Sequence, residues 1–296
     1  MNIWKERFTD KLFNWVSVII LLAFGIMTLY PFYYLLIYSL NDPMDAMLGD
    51  IYFFPRVFST ISYQIIWATN DLGHAAFISF SRTIIGTVLS GFFTSMLAYV
   101  LSRPHLIGRK FFTRMFVITM YISGGLIPGY LTLKAYGLRN TYLVYLIPCL
   151  VGVFNMILIK TYIQAMPPEF WESSEIDGAN EFIIFTRIIL PLCTPVLAVV
   201  CIFNAVGQWN SWFDAAVYNS AVPGLKPLQL ILMEMLKKTA VRSSADVPLT
   251  NEAAARLTPE SMRAAVTMIA TLPIVIVYPF FQKHFTQGIM LGSIKA

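Results

Sequence analysis

Long apolar stretches separated by short polar breaks set the pattern of this chain. A membrane-crossing helix needs roughly 20 apolar residues. Six stretches reach that length, at about 13–38, 75–101, 111–135, 141–164, 191–212 and 262–281. They predict an all-α polytopic protein with six transmembrane helices, forming a single transmembrane domain over 1–296. Pro31 is expected to kink the first span, while Gly124, Gly125, Pro128 and Gly129 interrupt the third, and Pro148 and Gly152 lie inside the fourth. Arg82, near the start of the second span, is expected to snorkel outward. The polar segment 41–74 carries Tyr52, Phe53 and Phe54 as an interfacial cluster. A second long polar segment, 214–261, has a helical pattern over 228–238, and Thr258-Pro259 is a cap and first-turn pair for the last span.

The longest polar interruption in mid-chain is 166–190. Pro167 and Pro168 end the preceding helix and suit the first turn of a new one, where the missing N–H costs nothing. Glu169 and Glu172 then fall at the positive end of that helix. Gly178 breaks it, and Asn180 is placed to cap a second segment that ends before Pro191. The expectation is a helix–turn–helix elbow outside the hydrocarbon. Ser173, Ser174, Gly178 and Ala179 are small and let another protein approach closely.

Composition sharpens this picture. Charged residues make up 12% of the chain, against about 25% in soluble domains, so the apolar excess must face lipid. The net charge of +5 is modest and forms no basic stripe, which excludes a nucleic-acid partner. Cys149, Cys193 and Cys201 read as small core residues, and His74, His105 and His284 are scattered, so no metal site is expected. Lys5, Arg7 and Lys11 precede an apolar run from Leu12 to about Leu40, too long for a signal core, so the first span is expected to be retained. Arg103, Arg109, Lys110 and Arg114 make the loop after the second span basic, hence cytoplasmic. Six spans then put both termini and the elbow in the cytoplasm and 214–261 outside. Lys237, Lys238, Arg242 and Arg256 in that outer segment carry little weight, because long translocated loops escape the charge rule. There is no G-x-x-x-x-G-K-[ST] loop and no G-x-S-x-G elbow, so neither ATP hydrolysis nor another enzymatic activity is expected of this chain.

Glu172-Ser173-Ser174, Asp177-Gly178-Ala179, Ile188 to Pro191 and the ending Gly288 to Lys295 carry a family resemblance. They resemble the EAA loop and tail of permease subunits of bacterial ABC importers, in the carbohydrate-uptake branch of MalG-like and LplC-like permeases. Ser173 and Ser174 stand where the family usually has alanines. The resemblance implies that Glu172, Ser173, Ser174, Asp177, Gly178 and Ala179 couple to an ATPase, whose closure moves the elbow and rocks the spans between inward-open and outward-open states. It implies a second permease subunit, two ATPase subunits and an extracytoplasmic solute-binding protein as partners in a bacterial inner membrane. No cofactor is implied for this chain; ATP and Mg belong to the partner ATPase. The LplC-like character implies an oligosaccharide, with plant-polysaccharide fragments, uronate-containing ones included, as the expected class. The alternatives are a permease for polyamines or amino acids, a membrane-embedded glycosyl-lipid enzyme, and a passive channel. The enzyme would need clustered acids or histidines at the membrane surface, and the channel has no use for the elbow.

A sugar path needs polar and aromatic groups on bundle-facing sides of the spans. Asn204, Gln208, Trp209, Asn210, Trp212 and Asp214 form the richest group. Asn204, Gln208 and Trp212 fall at i, i+4 and i+8, one helix face. Amides match hydroxyls as donors and acceptors, and tryptophan offers a flat face to a sugar ring. The competing reading is interhelical contacts plus an interfacial aromatic belt. Tyr121, Gly124, Gly125 and Asn155 are further candidates.

Overall fold

A computed structural model describes residues 8–69, 71–242 and 258–293. Lys5, Arg7, Arg256 and Lys295 lie outside the described residues, as does 243–257 within the segment 214–261. Every regular element among the described residues is helical. In chain order the α-helices are α1 (Phe8–Ser39), α2 (Pro43–Ala46), α3 (Ile61–Thr69), α4 (Leu72–Ser102), α5 (Arg109–Tyr121), α6 (Leu126–Ala135), α7 (Val153–Gln164), α8 (Glu169–Ile176), α9 (Glu181–Ile184), α10 (Leu190–Leu192), α11 (Thr194–Asn210), α12 (Phe213–Tyr218), α13 (Leu228–Arg242) and α14 (Pro259–Ser293). Two of them, over Lys11–Ser39 and Leu72–Ser102, are long and apolar enough to cross a membrane alone. Three bent pairs also pass that test: α5 with α6 at 120°, the 3-10 turns of Tyr142–Cys149 with α7 at 42°, and Glu181–Leu192 with α11 at 83°.

Contacts divide the chain into two compact units: Met1–Asn70 with Met235–Thr271, and Asp71–Glu234 with Leu272–Ala296. In the first, α1 leaves its apolar side chains exposed along its length, Phe13, Leu21, Phe24 and Met27 among them. The chain then turns on a small ordered knot. Buried Asn41 donates to Asp45 Oδ2 (2.8 Å) and accepts from the Val57 amide (3.0 Å), and Asp42 caps α2. Helix α3 falls inside what the polar pattern of 41–74 presents as loop. Tyr52, Phe53 and Phe54 are exposed. Thr258 Oγ1 accepts from the Ser261 amide at 3.1 Å and so caps α14.

The second unit is built on α4, which packs against α7 and α11. Its inner face is small: Gly86, Ser90, Gly91, Thr94, Ser95 and Ala98 are buried. A Cβ at Gly86 would stand 3.0 Å from Gln208 Nε2, and one at Gly91 3.4 Å from Cys201 Sγ, so close approach of α4 to α11 depends on these residues. Close packing at small residues is how helices associate where no hydrophobic gain separates protein from lipid. Below this seam Tyr99, Met156, Ile159, Ile184, Phe185 and Val200 form one buried cluster.

Several expectations from the sequence change here. The third apolar stretch is not one continuous helix but two, α5 and α6, because Gly125 adopts φ +83 and ψ 178, a conformation essentially restricted to glycine. The helix before Pro191 does not stop there. It passes through a π-helical turn, Phe185–Ile189, and ends at Leu192. Pro191 and Pro195 cannot donate to the ladder, which localises the break to Cys193. Arg82 does not snorkel outward: it is 1% exposed. Cys149 is exposed rather than in the core.

Candidate functional site

The 166–190 stretch folds as α8, a tight turn and α9. Glu169 and Glu172 occupy the first turn of α8. At its end the Gly178 amide donates to Glu175 O (3.0 Å) and the Ala179 amide to Ser174 O (3.0 Å). This paired pattern requires a left-handed residue, and Gly178 has φ +78. Asn180 caps α9 by accepting from the Ile183 amide at 2.9 Å. Ser173 Oγ donates to Glu169 O (2.8 Å) and Ser174 Oγ to Phe170 O (2.9 Å), so both hydroxyls turn back onto their own helix. Ser174 is buried, whereas Glu172, Ser173, Ile176 and Asp177 face outward. The outer face of α8 therefore presents carboxylates beside apolar Phe170 and Ile176, both exposed.

Arg103 ties this elbow to the end of α4. Its Nη2 donates to Glu175 and, at 3.0 Å, to Glu181 Oε1; its Nε reaches the same Glu181 oxygen at 3.3 Å. Tyr99 donates its hydroxyl to Glu181 Oε2. The guanidinium also lies 5.9 Å from the Trp171 ring. Arg103 is 8% exposed. Burial opposes its charge, but the bonds to Glu175 and the charge of Glu181 hold its pKa above the ordinary value. The sequence marks Arg103 only as part of a basic loop; its role as a clamp is visible only in the structure.

The second group gathers at the far part of α4. Arg82 donates from Nη2 to Asp214 Oδ2 (2.5 Å) and from Nε to Gln208 Oε1 (3.0 Å), and its guanidinium sits 4.2 Å above the Tyr145 ring. Gln208 Nε2 donates to Tyr145 O at 3.2 Å, so both ends of this amide are engaged. Asn204 donates to Ser90 Oγ (3.2 Å) and accepts from Asn155 Nδ2 (2.9 Å). Trp212 does not share the face of Asn204 and Gln208, because α11 ends at Asn210 and Ser211 is extended. Trp212 packs instead beside the cluster of Ile78, Val144 and Tyr145. Trp209 is half-buried. Asn210 is exposed, on the same side of α11 as Phe203, Val206 and Gly207. Tyr121, Gly124 and Gly125 are exposed at the break between α5 and α6.

Comparison with protein-family models gives no match. Individual relatives match nearly end to end. Protein LplC of Bacillus subtilis (strain 168) is 36% identical over 287 residues, spanning 96% of this chain and 95% of LplC. The polygalacturonan/rhamnogalacturonan transport system permease protein YtcP of the same organism is 34% identical over 288 residues, spanning 97% and 99%. Among solved structures, a bacterial ABC transporter involved in the import of the acidic polysaccharide alginate aligns with a TM-score of 0.83 at 27% identity, covering 94% of this chain and 98% of the other. With every regular element among the described residues helical and relatives alike over almost its whole length, the chain belongs to the permease subunits of carbohydrate ABC importers.

Proposed function

We propose that this chain imports oligosaccharides as one of two permease subunits in an ATP-driven complex of a bacterial inner membrane, and that the α8–α9 elbow conveys ATPase closure to its helices. The observation that carries this reading is the Arg103 clamp. It binds both arms of the elbow to the end of α4, the helix against which α7 and α11 pack. An elbow so tied moves with α4 rather than independently of it. Glu172, Ser173, Asp177 and Gly178, with exposed Phe170 and Ile176, form the surface for the ATPase, while Ser174 and Ala179 keep the turn close to the helices behind it. The chain itself is a permease subunit and not an enzyme; ATP hydrolysis belongs to a separate subunit, as in its relatives. ATP and Mg bind there, and an extracytoplasmic binding protein delivers the sugar.

On this reading six spans cross the membrane, both termini and the elbow are cytoplasmic, and 214–261 faces outward. The sugar path follows the exposed side of α11, with Asn210 and half-buried Trp209 as its sugar-contacting groups. Asn204, Gln208 and Trp212 shape the wall behind that side through their contacts with Ser90, Arg82 and the Tyr145 cluster. An acidic, uronate-containing oligosaccharide is the substrate class that fits two of these three proteins: one is named for polygalacturonan and rhamnogalacturonan, and another is involved in the import of alginate. The test is uptake of labelled neutral and uronate-containing oligosaccharides by the reconstituted complex, with ATPase stimulation by loaded binding protein. Stimulation and uptake by uronate oligosaccharides are expected. Transport of amino acids or polyamines in their place would reject the substrate class, and transport without ATP would reject the coupling.

A further inference from the structure

A cavity of about 310 Å³ opens beside the elbow, between the end of α4, the end of α7 and the inner side of α8. Its lining divides in two. Arg103 and Arg109 are its charged groups, with Gln164 beside them; Ile163, Met166 and Trp171 form an apolar wall. The carboxylates that pair with Arg103, Glu175 and Glu181, are not part of the lining. They engage Nε and Nη2, whereas the buried Nη1 of Arg103 makes no hydrogen bond among the described residues. Arg109 donates to Ser102 O at 3.2 Å and makes no ion pair among them. Lys160, whose ammonium donates to Thr113 Oγ1 at 2.9 Å, adds a further positive charge within electrostatic range of Arg109. A buried guanidinium nitrogen without an acceptor is costly, and Arg109 and Lys160, which have no carboxylate partner among the described residues, repel one another. Both costs are removed by one anion seated between Arg103 and Arg109.

We propose that this cavity binds the headgroup phosphate of an anionic phospholipid from the inner leaflet, and that the bound lipid steadies the elbow against α4. The proposal rests on the membrane-spanning reading above, with the elbow at the cytoplasmic boundary. Two features favour a lipid over an acidic side chain of the ATPase. The cavity meets the inner side of α8, through Trp171, while the face proposed for the ATPase carries Glu172, Ser173 and Ile176 on the opposite side. The apolar wall next to the arginines also suits a molecule whose charge adjoins hydrocarbon, and basic recesses at the cytoplasmic ends of helices are suited to anionic headgroups.

The test is native mass spectrometry of the purified importer complex, offered phosphatidylglycerol or phosphatidylcholine at equal concentration. Arg109→Gln removes one cation, and Gln164→Glu sets a carboxylate at an exposed position of the cavity. The wild type should retain phosphatidylglycerol in preference. Each variant should retain it roughly fivefold less well, the share of one basic residue near an anionic surface, with phosphatidylcholine unaffected. Inorganic phosphate in excess should not displace the lipid; displacement would assign the site to a free anion and overturn the proposal. Equal phosphatidylglycerol retention by the wild type and both variants would also overturn it, as would loss of ATPase subunits from the variants without loss of lipid, which would assign the cavity to the ATPase. Uptake measured on the same preparations separates the two readings: transport with unchanged lipid retention rejects the lipid site alone, and lipid retention without ATP-driven uptake rejects the transport reading alone.

Discussion

Arg103 Nη2 and Glu181 Oε1 lie 3.0 Å apart, joining the last turn of α4 to the first turn of α9 across 78 residues of chain. Glu181 is itself largely exposed, so the pair contributes on the order of 1 kcal/mol or less to stability. Its value is positional. Arg103→Ala is expected to leave the ATPase bound while uptake falls, since the outer face of α8 does not depend on it. Co-purification of the ATPase alongside uptake decides this; wild-type uptake would remove the clamp from the mechanism.

Gly178 supports a graded test of the turn. Alanine there must adopt a left-handed conformation, a cost of about 1–2 kcal/mol, and should lower sugar-stimulated ATPase activity only mildly. Proline cannot reach φ +78 and abolishes the 3.0 Å bond to Glu175 O, so Gly178→Pro should uncouple ATPase activity from transport while the chain stays in the membrane. Glu172→Lys, on the exposed face, should do the same by charge reversal. Full stimulation in both Gly178→Pro and Glu172→Lys would reject the elbow as the coupling element.

Asp214→Asn should lower the thermal unfolding midpoint markedly, since it strands Arg82, which is 1% exposed; leaving one member of a buried pair uncompensated costs about 3–5 kcal/mol. Replacing both, Arg82→Met with Asp214→Leu, should recover much of the loss. A double variant no more stable than Asp214→Asn would show that the pair's bonds to Gln208 and Ser211 matter more than charge balance.

Gln208→Ala and Asn210→Ala should part company. Gln208 is held at both ends of its amide, so its loss should reduce stability and impair all sugars alike. The Asn210 amide also bonds at both ends, donating to Val206 O (3.0 Å) and accepting from Gln229 (3.4 Å), but it is exposed where Gln208 is buried. Asn210→Ala should therefore spare the unfolding midpoint and weaken uptake of some oligosaccharides by roughly two- to tenfold, the worth of one hydrogen bond. Uniform loss across sugars in Asn210→Ala would remove it from the path.

Orientation is tested by single cysteines in a cysteine-free background. Leu48→Cys and Ile107→Cys occupy exposed positions, 75% and 92% respectively. An impermeant thiol reagent added to intact protoplasts should label the first, and the second only after lysis. The reverse pattern would invert the proposed sidedness. Ser243 and Ser244, in the outer segment that this sidedness implies, lie outside the described residues.

The helical character of the fold was legible because apolar runs of span length have few alternatives. The elbow was legible too, since Pro167, Pro168, Gly178 and Asn180 act through local backbone rules that need no partner: the cap at Asn180 and the left-handed turn at Gly178 form with neighbours a few residues away. What stayed hidden was long-range. Arg82 and Asp214 are 132 residues apart, and hydropathy ranks a lone arginine near a span's end as a snorkelling residue whatever faces it. The signal available was the scarcity of charge itself: in so apolar a chain an arginine and an aspartate at the edges of two spans invite pairing. The same limit applies to Trp212. Helical spacing aligns it with Gln208 only while the helix lasts, and Ser211 ends that alignment.

The break between α5 and α6 bears on where water goes. Residues 122–125 belong to no helix, and Gly125 turns the chain so that the two helices diverge by 120°. Peptide groups outside a helix cannot be left facing hydrocarbon, where each would lack a partner. In a membrane, Ser123 and Gly124 must therefore border either protein or a wetted space. On the proposed six-span reading, if the neighbour is a wetted space, a sugar passing this break would exchange its hydration against bare backbone.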